Sequence, residues 1–100
     1  MKKTKRKRTI YASLYRIPEE DKLMANLIFI ANERGKIEDY LPGPFTIGEY
    51  FGSRLKRKDA AIVVCSYLRE SYPRMLLRPE EVKLYSSGKA NRLLFELQNR

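Results

Sequence analysis

Hydrophobic and polar positions alternate along TIYASLYRI, from Thr9 to Ile17, with Ile10, Ala12 and Leu14 on one side and Tyr11, Ser13 and Tyr15 on the other. The segment is rich in β-formers, and this period of two predicts a strand. The pattern then changes. Pro18 with Glu19, Glu20 and Asp21 has the composition of a helix start, because proline suits the first turn and acids complement the positive end of the helix dipole. Leu23, Met24, Leu27, Ile28, Ile30 and Ala31 follow at helical spacing, and Gly35 is placed to cap the end. A first helix over about 18 to 34 is the preferred reading. Its rival is a strand, LIFIA, turning at NERG.

Lys36 to Pro44 reads as a connector closed by Pro42, Gly43 and Pro44, since neither proline suits a helix interior. Thr46 with Glu49 three residues later forms a capping box and predicts a second helix over about 46 to 55. A third helix is expected from Asp59 as its cap to about residue 71, before Pro73. VKLY and RLLFEL flank SSGKAN, a glycine-containing loop, and predict a C-terminal β-hairpin. The expected architecture is therefore α+β: an N-terminal strand, three helices and a C-terminal hairpin.

The run from Ala60 to Leu68 leaves three readings open. Ala61, Val64 and Leu68 form one helical stripe, but Ile62 and Val63 lie off it, and a helix apolar nearly all round is usually central. A core helix, a groove-facing helix and a buried β-branched strand all fit.

Charge adds an unequal distribution to this picture. The chain of 100 residues carries 21 lysines and arginines against 12 acids, and six of those bases lie in MKKTKRKR, which holds no acid. Residues 1 to 8 lack hydrophobic periodicity and repel themselves, which predicts a disordered basic arm ahead of one small α+β domain over 9 to 100. High charge with no histidine or tryptophan gives a thermophile-like composition.

No apolar run approaches the ~18 residues of a membrane span, and no apolar stretch follows the N-terminal charges as in a secretory signal. The expectation is a cytoplasmic protein without membrane contact. Cys65 is the only cysteine and there is no histidine, so neither an internal disulfide nor a common zinc set can be assembled. Catalysis also lacks a histidine base, and a thiol within an apolar run is normally inert. No enzyme activity and no cofactor are predicted. GPFTIG continues with Glu49 where a P-loop needs lysine, and SSGKA lacks both the first glycine and the hydroxyl residue after Lys89. A minor alternative is a metal-dependent nuclease using Glu81 and Lys83 on a strand with Asp59.

The basic residues point to phosphate. Lys2, Lys3, Lys5, Arg6, Lys7 and Arg8 on the arm can neutralise phosphates and release counterions. Arg54, Lys56, Arg57 and Lys58 form a second group, and Lys89 and Arg92 a third. Tyr11 and Tyr15 could stack bases, although tyrosines on a half-buried strand are ordinarily packing residues.

The first helix, the segment TIGEYFGSRL, the turn KRK, the helix from Asp59 and the basic-tipped hairpin together resemble the winged helix-turn-helix DNA-binding family, over about residues 19 to 97. TIGEYFGSRL looks like the T-I-x-E-hydrophobic pattern that opens many of that family's second helices. The resemblance implies a groove-facing third helix, Lys56, Arg57 and Lys58 holding phosphates at the turn, and a wing carrying Lys89 and Arg92. The helix's apolar run leaves only Ser66, Arg69 and Glu70 as polar reading positions.

The expected function is nucleic-acid binding, DNA before RNA, mainly through phosphates and with a regulatory or architectural role. The competing class is a protein-interaction module, such as a small inhibitor or accessory protein of a virus or plasmid. A homodimer is open in both.

Overall fold

A computed structural model describes residues 8–49 and 56–99. Strands β1 (Thr9–Ile17), β2 (Lys22–Ala31) and β3 (Ile37–Glu49) come first, then helix α1 (Arg57–Ser71), strand β4 (Val82–Ser86) and helix α2 (Ser87–Gln98). The four strands form one mixed sheet in the order β3-β2-β1-β4. β1 pairs antiparallel with β2, and β2 with β3, whereas β4 lies parallel to β1, matching Ile10 to Val82 and Leu14 to Ser86. Among the described residues the fold is thus a four-stranded sheet with two helices, which overturns the expected three helices and C-terminal hairpin of a winged-helix-like chain.

Only the N-terminal strand matches its predicted bounds. Pro18–Glu20 makes a single 3₁₀ turn, and Asp21 in the left-handed region (φ 54°) reverses the chain into β2. The predicted first helix is therefore the rival strand, turning at NERG. The Asn32 side chain holds that turn, its Oδ1 accepting from the amides of Arg34 (2.9 Å) and Lys36 (3.0 Å). Gly35 adopts φ 80°, so it serves a strand turn where a helix cap was expected.

The helical spacing misled because β2 is central and covered on both faces, which makes its run from Leu27 to Ala31 continuously apolar. Ile28 and Ile30 face α1 while Phe29 and Ala31 face α2, and all four are at most 1% exposed. Burial of each large side chain contributes roughly 1.5–3 kcal/mol, so β2 is a principal source of stability.

The expected connector and the start of the second helix are β3. Pro42 and Pro44 are tolerated because β3 is an edge strand, where missing amide donors cost no ladder bond. Thr46–Glu49, read as a capping box, pairs with the start of β2; the remainder of that predicted helix, 50–55, lies outside the described residues.

The helix expected with Asp59 as its cap is present and begins three residues earlier, at Arg57 with Lys56 as its N-cap. Ala60, Ala61, Val64, Cys65 and Leu68 are buried, all but Ala61 in one cluster with Ile10, Ala12, Ile28 and Ile30, so α1 is a core helix and not the groove-facing one.

The predicted hairpin keeps its first strand and loses its second. SSGKAN is the opening of α2, and Ala90, Leu93, Leu94 and Leu97 pack on Phe29, Ala31 and Tyr85 of the opposite sheet face. With no second strand, Lys89 and Arg92 belong to a helix and there is no wing. No helix among the described residues is long and apolar enough to cross a membrane.

Candidate nucleic-acid interface

A cleft of about 720 Å³ runs beside β4, lined by Arg57, Lys58 and Ala61 of α1, Pro79 and Glu80, and residues 82 to 85. Successive strand residues point to opposite faces, so a cleft touched by all four follows the strand's outer edge. Among the described residues no strand pairs with that edge. The position follows from topology. The β4 strand lies parallel to β1 at the sheet margin, and the start of α1 hangs over it.

Three cations (Arg57, Lys58 and Lys83) share the cleft with one carboxylate, Glu80. Arg57 and Lys58 are exposed in the first turn of α1, with Lys56 exposed at its N-cap and making no side-chain cap bond. Cations there oppose the positive end of the helix dipole, a mismatch of about 0.3–1 kcal/mol each. Asp59 in the same turn offsets part of it, although it is not the cap predicted for it.

Lys89 adjoins the cleft through Tyr85. Its Nζ lies 4.5 Å from the centre of the Tyr85 ring, and Tyr85 is itself a cleft residue. Arg92 is exposed three residues further along α2, on the same side of the helix as Lys89. Arg8 lies elsewhere, bordering a separate hollow with Tyr72, Pro73, Arg74 and Met75. Lys2, Lys3, Lys5, Arg6, Lys7 and Arg54 lie outside the described residues.

The structure therefore joins two groups that are over thirty residues apart in the chain, Arg57 with Lys58 and, through Tyr85, Lys89. Lys83 was expected only in the nuclease alternative, not as a phosphate contact, and Tyr85 was not among the expected site residues. Their signal was present in the alternation of VKLY, which sets both on the face away from the α1 core, but only the pairing of β4 with β1 shows that this strand is an edge.

The expected stacking residues fare differently. Tyr11 is packed between Phe29 (ring centroids 5.0 Å apart) and Tyr85 (5.8 Å), a structural position. Tyr15 is half-buried opposite Met24. Glu81, proposed as a strand ligand of a nuclease, lies in the 3₁₀ turn before β4, with one carboxylate oxygen buried and no hydrogen-bond partner. Among the described residues no three histidine, cysteine, aspartate or glutamate side chains gather as a metal site requires.

Cys65 is 2% exposed. Burial pushes its thiol above the ordinary value, the carboxylates of Glu81 and Glu80 add to the rise, and Arg69 opposes it. A buried neutral thiol is a poor nucleophile.

Comparison of the chain with protein families, curated proteins and solved structures found no match.

Proposed function

We propose that this chain binds nucleic acid, DNA before RNA, chiefly through phosphates, in a regulatory or architectural role. The observation that supports it most is the cleft beside β4, which Arg57 and Lys58 of α1 and Lys83 of β4 line together, with Lys89 alongside. A surface whose cations merely aid solubility has no reason to gather them in a concavity, or to put two of them at the wrong end of a helix dipole. Rules of local structure are most often broken where function requires it. A phosphate at this position gains from the cations and from the dipole together.

The six bases of MKKTKRKR supply a second, sequence-independent attraction. Salt titration of binding to a labelled DNA tests the reading. Affinity should fall steeply with salt, and neutralising Arg57, Lys58 and Lys83 together to glutamine should flatten the log–log slope by about 2–3. An unchanged slope and affinity in that variant would remove the cleft from the interface.

One observation favours a protein partner as the second reading: the outer edge of β4, which pairs with no strand among the described residues, could accept an added strand. Hydrogen-bond donors and acceptors on that edge would then give binding nearly independent of salt, the opposite of the titration expected above.

A further inference from the structure

One aromatic residue, Tyr85, lines the cleft, and the way its ring is held on the α2 face of the sheet bears on the kind of nucleic acid that fits. Tyr85 stacks on Tyr11 with ring planes 29° apart, and Tyr11 stacks on Phe29 with planes 22° apart. Phe29 is fully buried beneath α2. Rings from β4, β1 and β2 thus make a row across one sheet face, fixed in the core at Phe29 and ending at the sheet margin with Tyr85, a residue that also lines the cleft. A ring braced in this manner has little rotamer freedom left to lose, so a ligand that stacks on it incurs little ordering cost.

Around this ring the charges are arranged for a chain of phosphates. Arg57, Lys58 and Lys83 line the same cleft, and Lys89 reaches the Tyr85 ring on a flexible four-carbon stem. That contact is a cation–π interaction at a partly exposed position, which a stacked base can displace. A braced aromatic ring beside several cations suits unpaired nucleotides, whose bases expose their faces while the flanking phosphates meet the charges. In a duplex each base is already stacked on both sides, so neither face is free for the ring.

We infer that the β4 cleft binds single-stranded nucleic acid: Tyr85 stacks an unpaired base, Lys89 leaves the ring for an adjacent phosphate, and Arg57, Lys58 and Lys83 hold its neighbours. The inference rests on the nucleic-acid reading above and adds strandedness to it.

The experiment compares the full chain with its Tyr85→Leu and Tyr85→Phe variants by fluorescence anisotropy, using labelled oligothymidylate and a mixed-sequence duplex of equal length. The single strand should bind more tightly than the duplex. Tyr85→Leu should weaken the single strand about tenfold with no change in salt slope or in duplex affinity, while Tyr85→Phe retains binding. Photocrosslinking of a bromouracil-substituted strand to the unmodified protein gives a readout independent of any variant's folding, and the adduct should map to Tyr85. Equal binding of the single strand by Tyr85→Leu, or adducts confined to other residues, would overturn the inference. Duplex affinity equal to that of the single strand would overturn it while leaving nucleic-acid binding intact; failure to bind either oligonucleotide would overturn both. Displacement by polyglutamate as effective as by unlabelled oligothymidylate would also overturn it, in favour of an acidic protein partner.

Discussion

The Tyr67 hydroxyl donates a hydrogen bond to the carbonyl oxygen of Thr46 at 2.8 Å, tying α1 to the edge strand β3 across a separation of 21 residues. The same ring packs on Phe45 with centroids 4.7 Å apart, so one side chain makes a polar and an apolar contact with adjacent residues of one strand. Tyr67→Phe removes only the hydroxyl. The Thr46 carbonyl belongs to an exposed residue and can turn to water, so the expected loss is about 1 kcal/mol, or a Tm lower by roughly 4–8 °C. Tyr67→Ala removes the ring as well and should cost at least twice as much; equal losses in thermal denaturation would mean that the ring contributes nothing.

Gly88 separates the observed fold from the expected one. In a two-strand hairpin the glycine of SSGKAN would take a positive φ, and alanine there would be strained. In the structure Gly88 lies in the first turn of α2, and an added Cβ meets nothing within 4 Å. Gly88→Ala should therefore stabilise the chain by about 0.5–1 kcal/mol through helix propensity. Chemical denaturation with a higher midpoint and unchanged slope is the expected result, and a lower midpoint would argue for the hairpin.

These two residues also mark what could be read in advance. The alternation of β1 was legible because the segment shows a single period, whereas in α1 the stripe of Ala61, Val64 and Leu68 competed with the apolar Ile62 and Val63 beside it and left a strand open. The α2 helix was legible in principle: Ala90, Leu93, Leu94 and Leu97 follow the i, i+3, i+4, i+7 pattern, but Leu93 and Phe95 also alternate, and SSGKAN favoured a turn. Phe95 is 67% exposed, which shows that the alternation carried no burial. The β2 strand was not legible from period alone, because burial on both faces erases alternation. The β3 strand was hidden by prolines that only an edge accepts, and edge position depends on the order of strands. The site was half visible for the same reason: the basic residues can be counted in the sequence, but their meeting at the β4 edge is a property of the parallel β1–β4 pairing.

Ser13 is a second product of that topology. It lies between Leu27 of β2 and Tyr85 of β4, fully buried, and its hydroxyl has no hydrogen-bond partner. A desolvated hydroxyl without a partner is a cost that the methyl group of alanine does not carry. Ser13→Ala should leave stability unchanged or raise it, by up to about 1 kcal/mol. A loss above that in thermal denaturation would mean that the hydroxyl is bonded.

Stability should fall on the alkaline side. Burial raises the Cys65 thiol above 9.0. Burial also raises the Tyr72 hydroxyl above 10.0, and the charge of the Asp39 carboxylate and its hydrogen bond add to that rise. Both groups are neutral when protonated, so the folded chain keeps its protons to higher pH than the unfolded chain. Their stabilisation is complete below the ordinary values and is lost as pH climbs through them toward the folded ones. Tm should hold steady up to about pH 9 and decline beyond it, with the decline in Cys65→Ala starting nearer pH 10. A Tm that rises with alkaline pH would contradict the burial of both groups. The same burial predicts that Cys65 resists a thiol reagent in the folded chain and reacts at once in denaturant.

Arg57 and Lys58 permit a test in which stability and binding move in opposite directions. Both are exposed cations in the first turn of α1, where the helix dipole disfavours positive charge, and both line the β4 cleft. If they served the fold, neutralising them would weaken it. Replacing the pair with glutamine should instead leave the chain as stable or a few tenths of a kcal/mol more stable, because the unfavourable charge–dipole term is relieved. Binding to nucleic acid should weaken, and the log–log salt slope should flatten by about 1–2, as two phosphate contacts are lost. Thermal denaturation and salt titration of one double variant decide the matter. Lower stability with unchanged binding would make these residues structural; higher stability with weaker binding is the signature of side chains retained for a ligand.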